Sequence, residues 1–191
     1  MPRVGQEPAR RAALVAATVA EIGAARTLDV TVGQIARRAG MSSALAHHYF
    51  GGKAQIFLAA MRQILTDYSQ EVRTALHGAE SGQRLEALIA ANFAQSCFTE
   101  ETIAAWLNFY VLAQRDDQAA RLLRIYQSRL RSNLIHALRG RCDDPAAAAQ
   151  IIGALIDGVY LRAALSGGGF GDAARDVTRA ARALLSVSCS R

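Results

Sequence analysis

Apolar residues three and four positions apart organise this chain between its glycine and proline breaks, and no stretch alternates as a half-buried strand would. Residues 8–24 open with Pro8 and place Ala12, Val15, Ala16, Val19 and Ile22 on one side before Gly23. Short helices are predicted for Thr31 to Arg38 and for Ser42 to Tyr49. A long one follows from Lys53 to His77, with Ile56, Phe57, Ala60, Ile64, Tyr68, Val72 and Leu76 as its apolar stripe. Three more are predicted over 81–97, 100–114 and 117–139, the last with Leu122, Tyr126, Leu130, Leu134 and Leu138 spaced by four. Asp144-Pro145 is a start signal, an aspartate cap with proline in the first turn. The helix it opens runs to Ser166, stops at Gly167-Gly168-Gly169, and is followed by 172–187 with Val177, Ala181, Leu184 and Leu185 inward. Nine helices and no strand predict an all-α protein. An alanine-dominated apolar share, 6% aromatic residues and three prolines agree with close helix packing.

The remaining composition narrows function by exclusion. Cys97, Cys142 and Cys189 are an odd, widely spaced set without a C-x-x-C pair, which argues against a disulfide framework or structural zinc. The histidines, His47, His48, His77 and His136, have no metal-ligand spacing. No cofactor or metal is expected. There is no G-x-S-x-G, no glycine-rich phosphate loop and no plausible carboxylate pair, so an enzyme is not expected either. Without a signal-peptide h-region or a membrane-length apolar run, a cytoplasmic protein with no membrane partner is expected. The net charge is +6, and residues 1–53 carry seven basic against three acidic side chains, net +4. A basic first third makes nucleic acid the natural anionic partner.

Within that third, two short helices flank Ala39-Gly40-Met41. Thr31 and Gln34 form a capping-box pair, Ala36 is small where helices would cross, and Gly40 frees the turn. Ile35 and Leu45 are expected to pack the two helices together. A glycine turn alone would also suit an ordinary helical hairpin, but the whole run from Thr31 to Phe50 is more specific.

Thr31-Val32-Gly33-Gln34-Ile35-Ala36-Arg37-Arg38-Ala39-Gly40-Met41-Ser42, then His48-Tyr49-Phe50 and Lys53, closely resembles the N-terminal domain of the tetracycline-repressor (TetR) family. The resemblance implies an all-α homodimer with three-helix DNA-binding heads (residues 1–54) and a larger regulatory domain for ligand binding and dimerisation (55–191). The seam between them falls within the long fourth helix. Gly51-Gly52 departs from the family, which more often has polar or charged residues there. Met1-Pro2-Arg3-Val4-Gly5, Asn92-Phe93, Ala105-Trp106-Leu107 with Phe109, Ser128-Arg129, Ser132-Asn133-Leu134, Ile156-Asp157-Gly158 and Leu161 to Gly167 are similar to one branch. That branch is the BetI repressors, choline-responsive regulators of glycine-betaine synthesis genes.

The resemblance assigns DNA contacts to Thr31, Arg37, Ser42, Ser43, Ala44, His47, His48, Tyr49 and Lys53. Short side chains at the start of the recognition helix let its backbone approach the major groove. Arg37, Arg38 and Lys53 are positioning contacts to phosphate or solvated charges. In the regulatory part, Trp106, Phe109 and Tyr110 sit at i, i+3 and i+4 and share a helix face, as core or as part of a cation site. Asp157 lies in an apolar helix with Tyr160 nearby. A carboxylate there is costly unless an arginine or a ligand cation neutralises it. Choline, a quaternary ammonium attracted to aromatic faces and a carboxylate, fits the second case, with Asn92 a candidate for its hydroxyl.

These assignments predict a homodimeric repressor of choline-oxidation genes on a palindromic operator, released or weakened by choline. The alternative is a TetR-type repressor answering a different small molecule, a hydrophobic drug or metabolite. The dimer seam is expected along Ile152, Leu155, Val159, Ala163 and the stripe from Val177 to Leu185.

Overall fold

Helix starts in this chain are set by local side-chain caps. Thr31 accepts from the Gln34 N–H at 3.1 Å while the Gln34 side chain accepts from the Thr31 N–H at 2.7 Å, so the predicted capping box is complete. Ser42 Oγ accepts from the Leu45 N–H at 3.2 Å, Thr99 caps in the same way, and Asp144 Oδ1 accepts from the N–H groups of Ala146 and Ala147. The computed structural model describes residues 6–95, 97–166 and 172–188. The Met1–Gly5 opening, the Gly167–Gly169 stop and Cys189 fall outside them.

The described residues form nine α-helices and a one-turn 3-10 helix, with no strand. The helices are α1 (Gln6–Ala25), α2 (Val32–Arg38), α3 (Ser43–Phe50), α4 (Lys53–Gly78), α5 (Arg84–Asn92), α6 (Glu100–Leu112), α7 (Asp117–Leu138), α8 (Pro145–Ser166) and α9 (Ala173–Ser188). The prediction for 81–97 fails at both ends. Ser81–Gln83 is the 3-10 turn, and the α-helix stops at Asn92. No glycine or proline marks that stop. It serves packing instead: Phe93, Cys97 and Phe98 turn inward, and the Tyr160 hydroxyl donates to the Cys97 carbonyl at 2.9 Å.

The chain divides into two compact units, residues 1–65 with 99–122, and 66–98 with 123–191. The division between the units falls within α4, after residue 65, and α6 belongs to the first unit. That unit is built on Leu14, Ala17, Ile22, Val30, Val32, Ile35, Ala36, Ala46, Ile56 and Phe57, with Ala105 of α6 in the same core. The backbone of α6 comes so close to α1 that a Cβ on Gly23 would fall 2.5 Å from the Glu101 Cα. In the second unit α5 and α8 pack on α9. Glu86 of α5 pairs there with Arg141 at 3.5 Å and with Arg182 of α9 at 3.2 Å. Burial disfavours the Glu86 carboxylate, but backbone and arginine hydrogen bonds outweigh it and hold its pKa below the ordinary value. The stability this adds is present at neutral pH and is lost as acid protonates the group.

Candidate functional site

The helix-turn-helix is made by the bonds its residue types allow. After α2, the Ala39, Gly40 and Met41 N–H groups donate to Ile35, Arg37 and Ala36 carbonyls at 3.0, 3.1 and 2.8 Å. Gly40 has φ +67°, a conformation that costs an L side chain energy, so the predicted role of this glycine holds. The packing residue on α3 is different from the one expected. Ala46 is fully buried in the seam against Ile35 and Ala36, while Leu45 is only half-buried and outside that core. A methyl group is what two short helices can accommodate where they cross closely.

With Ala46 turned in, the opposite side of α3 is presented to solvent. Ser42, Ser43, Ala44, His47 and His48 are all exposed, as are Thr31 and Arg37 at the two ends of α2. Tyr49 is half-buried; the Arg11 guanidinium stands 5.4 Å from its ring centroid and 5.3 Å from that of Phe50, tying α1 to the end of the recognition helix. Arg38, next to Arg37, is tied to Glu21 of α1 at 2.6 Å and serves the head's own fold. Gly51 ends α3 at φ +77° with its N–H on the His47 carbonyl at 2.7 Å, a backbone conformation that favours glycine. Lys53 opens α4, with its ammonium 4.0 Å from Asp29 and 5.5 Å from the Phe57 ring centroid.

If Lys53 contacts phosphate, Lys53→Ala should weaken specific and random DNA alike and reduce the slope of log affinity against log salt by about 0.9, one phosphate contact. Filter-binding or anisotropy titrations between low and moderate salt check this. An unchanged slope would mean that Asp29, not DNA, is the partner of Lys53.

A second cluster lies wholly within the other unit. Phe98 packs against Tyr160 with ring centroids 4.6 Å apart and edge-on against Phe93 at 5.3 Å, and Tyr68 meets Tyr126 edge-on at 5.3 Å. The Tyr68 hydroxyl is buried with no hydrogen-bond partner. Burial pushes its pKa far up; nearby Asn92 works against that shift, and the proximity of Cys97 and Asp157 adds to it, so the phenol stays protonated and remains a donor. Asn92 is 4% exposed and gives its amide N–H to the Leu88 carbonyl at 2.8 Å. Asp157 is half-buried.

Of the residues predicted for a ligand, Asn92, Asp157 and Tyr160 therefore share the second unit. Trp106, Phe109 and Tyr110 belong to the first. Trp106 lies 5.3 Å from Phe109 and 5.6 Å from Tyr110, so the three do share a face, and Trp106 and Phe109 are buried as core. The Tyr160 hydroxyl is taken by Cys97, which leaves its ring rather than its oxygen for recognition. Tyr68, Phe98 and Tyr126 were not singled out from sequence. The available signal was a tyrosine, the one side chain with a polar group in the apolar stripe of α4.

A capped helix-turn-helix with an exposed recognition face, on an all-helical chain, defines a DNA-binding regulator. Residues 14–60 match the family profile described as bacterial regulatory proteins, tetR family, and residues 81–186 match that of the BetI-type transcriptional repressor, C-terminal. The chain is 50% identical over 168 residues to the HTH-type transcriptional regulator BetI of Brucella anthropi, covering 86% of this chain and 87% of that protein. Among solved structures, a transcriptional regulator of Pseudomonas aeruginosa matches with a TM-score of 0.81 at 24% identity, over 96% of this chain and 93% of that one. A regulator of Saccharomonospora viridis solved in complex with choline matches with a TM-score of 0.74 at 18% identity, over 92% and 95%. At such identities these two structures establish the fold alone. The chain belongs to the TetR family of transcriptional regulators, as a BetI-type repressor. Its homologues are regulators rather than enzymes, and no described helix is long and apolar enough to cross a membrane.

Proposed function

We propose that this repressor controls genes of glycine-betaine synthesis from choline, and that choline releases it from its operator or weakens its hold. The observation that carries the effector reading is the cluster of the second unit. There, aromatic rings of Tyr68, Phe98, Tyr126 and Tyr160 share one compact region with the Asp157 carboxylate and a buried phenol that lacks a partner. A quaternary ammonium gains about 0.5–2 kcal/mol per desolvated aromatic face. The carboxylate supplies the opposite charge, and the Tyr68 hydroxyl a donor for the effector's oxygen. The choline bound in the Saccharomonospora viridis regulator supports the same reading by analogy. Calorimetry with choline and with 3,3-dimethylbutanol, the same shape without the charge, tests it. Choline should bind in the micromolar to millimolar range and the neutral analogue at least about ten-fold more weakly. Equal binding would refute cation recognition.

On DNA, Ser42, Ser43, Ala44, His47 and His48 face the major groove in this reading, with Thr31, Arg37, Tyr49 and Lys53 on the backbone. Two heads of a homodimer address successive grooves of a palindrome. Choline can weaken this complex only if it binds the DNA-competent form less tightly than the other form.

Four of the residues expected at the dimer seam are core, whereas Leu155 and Val159 are half-buried and the Ala163 side chain lies outside those described. Ile152, Val177, Ala181 and Leu185 are buried inside their own chain, because α8 and α9 pack on each other. The apolar residues that α8 leaves in solvent are Ile151 (53% exposed), Leu161 (46%) and Leu165 (75%), all on one side of the helix. They are the proposed seam. Ile151→Asp with Leu165→Asp should give a monomer by sedimentation velocity and lose roughly 100-fold in palindrome affinity, because the second head no longer binds as a tethered partner. A variant that stays dimeric would place the seam elsewhere.

A further inference from the structure

On the second unit, an open groove of about 750 Å³ lies between the C-terminal half of α4 and the start of α5. Gln70, Arg73, Thr74, Leu76, His77 and Arg84 line it, and Arg73, His77 and Arg84 take part in no ion pair among the described residues. The Arg84 Nε–H is buried there without a hydrogen-bond partner. Such a group is costly to bury unless something accepts from it.

The hydrogen-bonding capacity of the wall is one-sided. Arg73 is held in place by the Ser69 carbonyl, which accepts from Nε at 3.2 Å, and by Gln70 Oε1, which accepts from Nη2 at 3.0 Å. One of the two acceptor sites of Gln70 Oε1 is thereby used, and its amide N–H groups are left to donate. Thr74 adds a hydroxyl, and no carboxylate lines the groove. The end of the α4 helix brings a partial negative charge of about half a unit, which two guanidinium groups outweigh. Arginine forks match the oxygens of phosphate in pairs.

We propose that this groove is a binding site for a phosphate-bearing small molecule, separate from the DNA-reading face and from the Tyr68 cluster. Its volume exceeds that of a lone phosphate and falls in the range of small-molecule sites, about 300–1,000 Å³. Arg84 and Arg73 grip the phosphate through their outer guanidinium nitrogens, and Leu76 offers an apolar surface to the rest of the molecule.

The test is a calorimetric titration of the full chain with inorganic pyrophosphate, at an ionic strength held constant with chloride. The head also attracts phosphate, so Lys53→Ala serves as its control. The wild type and Lys53→Ala should bind pyrophosphate alike, and Arg84→Gln and Arg73→Gln should each weaken binding ten-fold or more with unchanged melting temperature in chloride alone. Arg84→Lys offers a milder second variant, expected to retain part of the affinity. Absence of binding by the wild type, affinity that survives both glutamine variants, or loss on Lys53→Ala alone would overturn the proposal.

Discussion

Gly23→Ala is expected to destabilise the protein by about 1–3 kcal/mol, the range for overpacking, and to lower Tm by several degrees. Propensity alone points the other way. Gly23 is inside α1, where alanine is the better helix former by about 0.8–1 kcal/mol. The new Cβ would fall 2.5 Å from both the Cα and Cβ of Glu101 and 2.7 Å from its Cγ, and a backbone atom cannot step aside as a side-chain tip can. The close approach of α1 and α6 outweighs propensity. Gly33→Ala is the internal control. It is also helical, its nearest atom is Thr31 Oγ1 at 3.8 Å, and it should stabilise by about 0.5–1 kcal/mol. Thermal melts of the two variants should therefore move in opposite directions, and a stabilised Gly23→Ala would show that α6 does not pack so closely.

Asp157→Asn is expected to weaken choline by at least about ten-fold, the equivalent of 1.4 kcal/mol, with operator affinity in the absence of choline unchanged. The substitution keeps size and removes the charge opposite the ammonium, exchanging one acceptor oxygen for an amide donor. Tyr68→Phe makes the complementary test. Its hydroxyl has no partner in the free protein, so deleting it should leave stability unchanged or raise it slightly. If that hydroxyl donates to choline, the same change should cost affinity for choline but none for tetramethylammonium, which has no oxygen. Calorimetry with both ligands on both variants checks this. Asp157→Asn with undiminished choline affinity would leave Asp157 a structural residue.

Much of the DNA-reading head was legible in the sequence because its determinants are local. The Thr31–Gln34 box, the Ser42 cap and Gly40 act within four residues of themselves, and each appears in the structure with the bond expected of it. The end of α5 was not legible. Asn92 to Ser96 reads as helix by propensity, and the chain leaves the helix there to bring Phe98 onto Tyr160, sixty-two residues further along. The same limit explains the seam. Periodicity gave α8 and α9 apolar residues without saying which would face each other inside one chain, and Ile152 and Val177 proved to be core while Ile151 and Leu165 stayed in solvent. Tyr68 was counted in the α4 stripe as a packing residue, since nothing in the spacing of a stripe reports that one hydroxyl in it will lack a partner.

Control of the repressor's grip on DNA by choline can be read by fluorescence anisotropy on a labelled palindromic fragment from the protein's own promoter. The complex is titrated with choline and, in parallel, with 3,3-dimethylbutanol. Choline should weaken DNA affinity in a saturable way, and the neutral analogue should have little effect at the same concentrations. A DNA affinity that choline leaves unchanged, or that both compounds lower equally, would contradict that control.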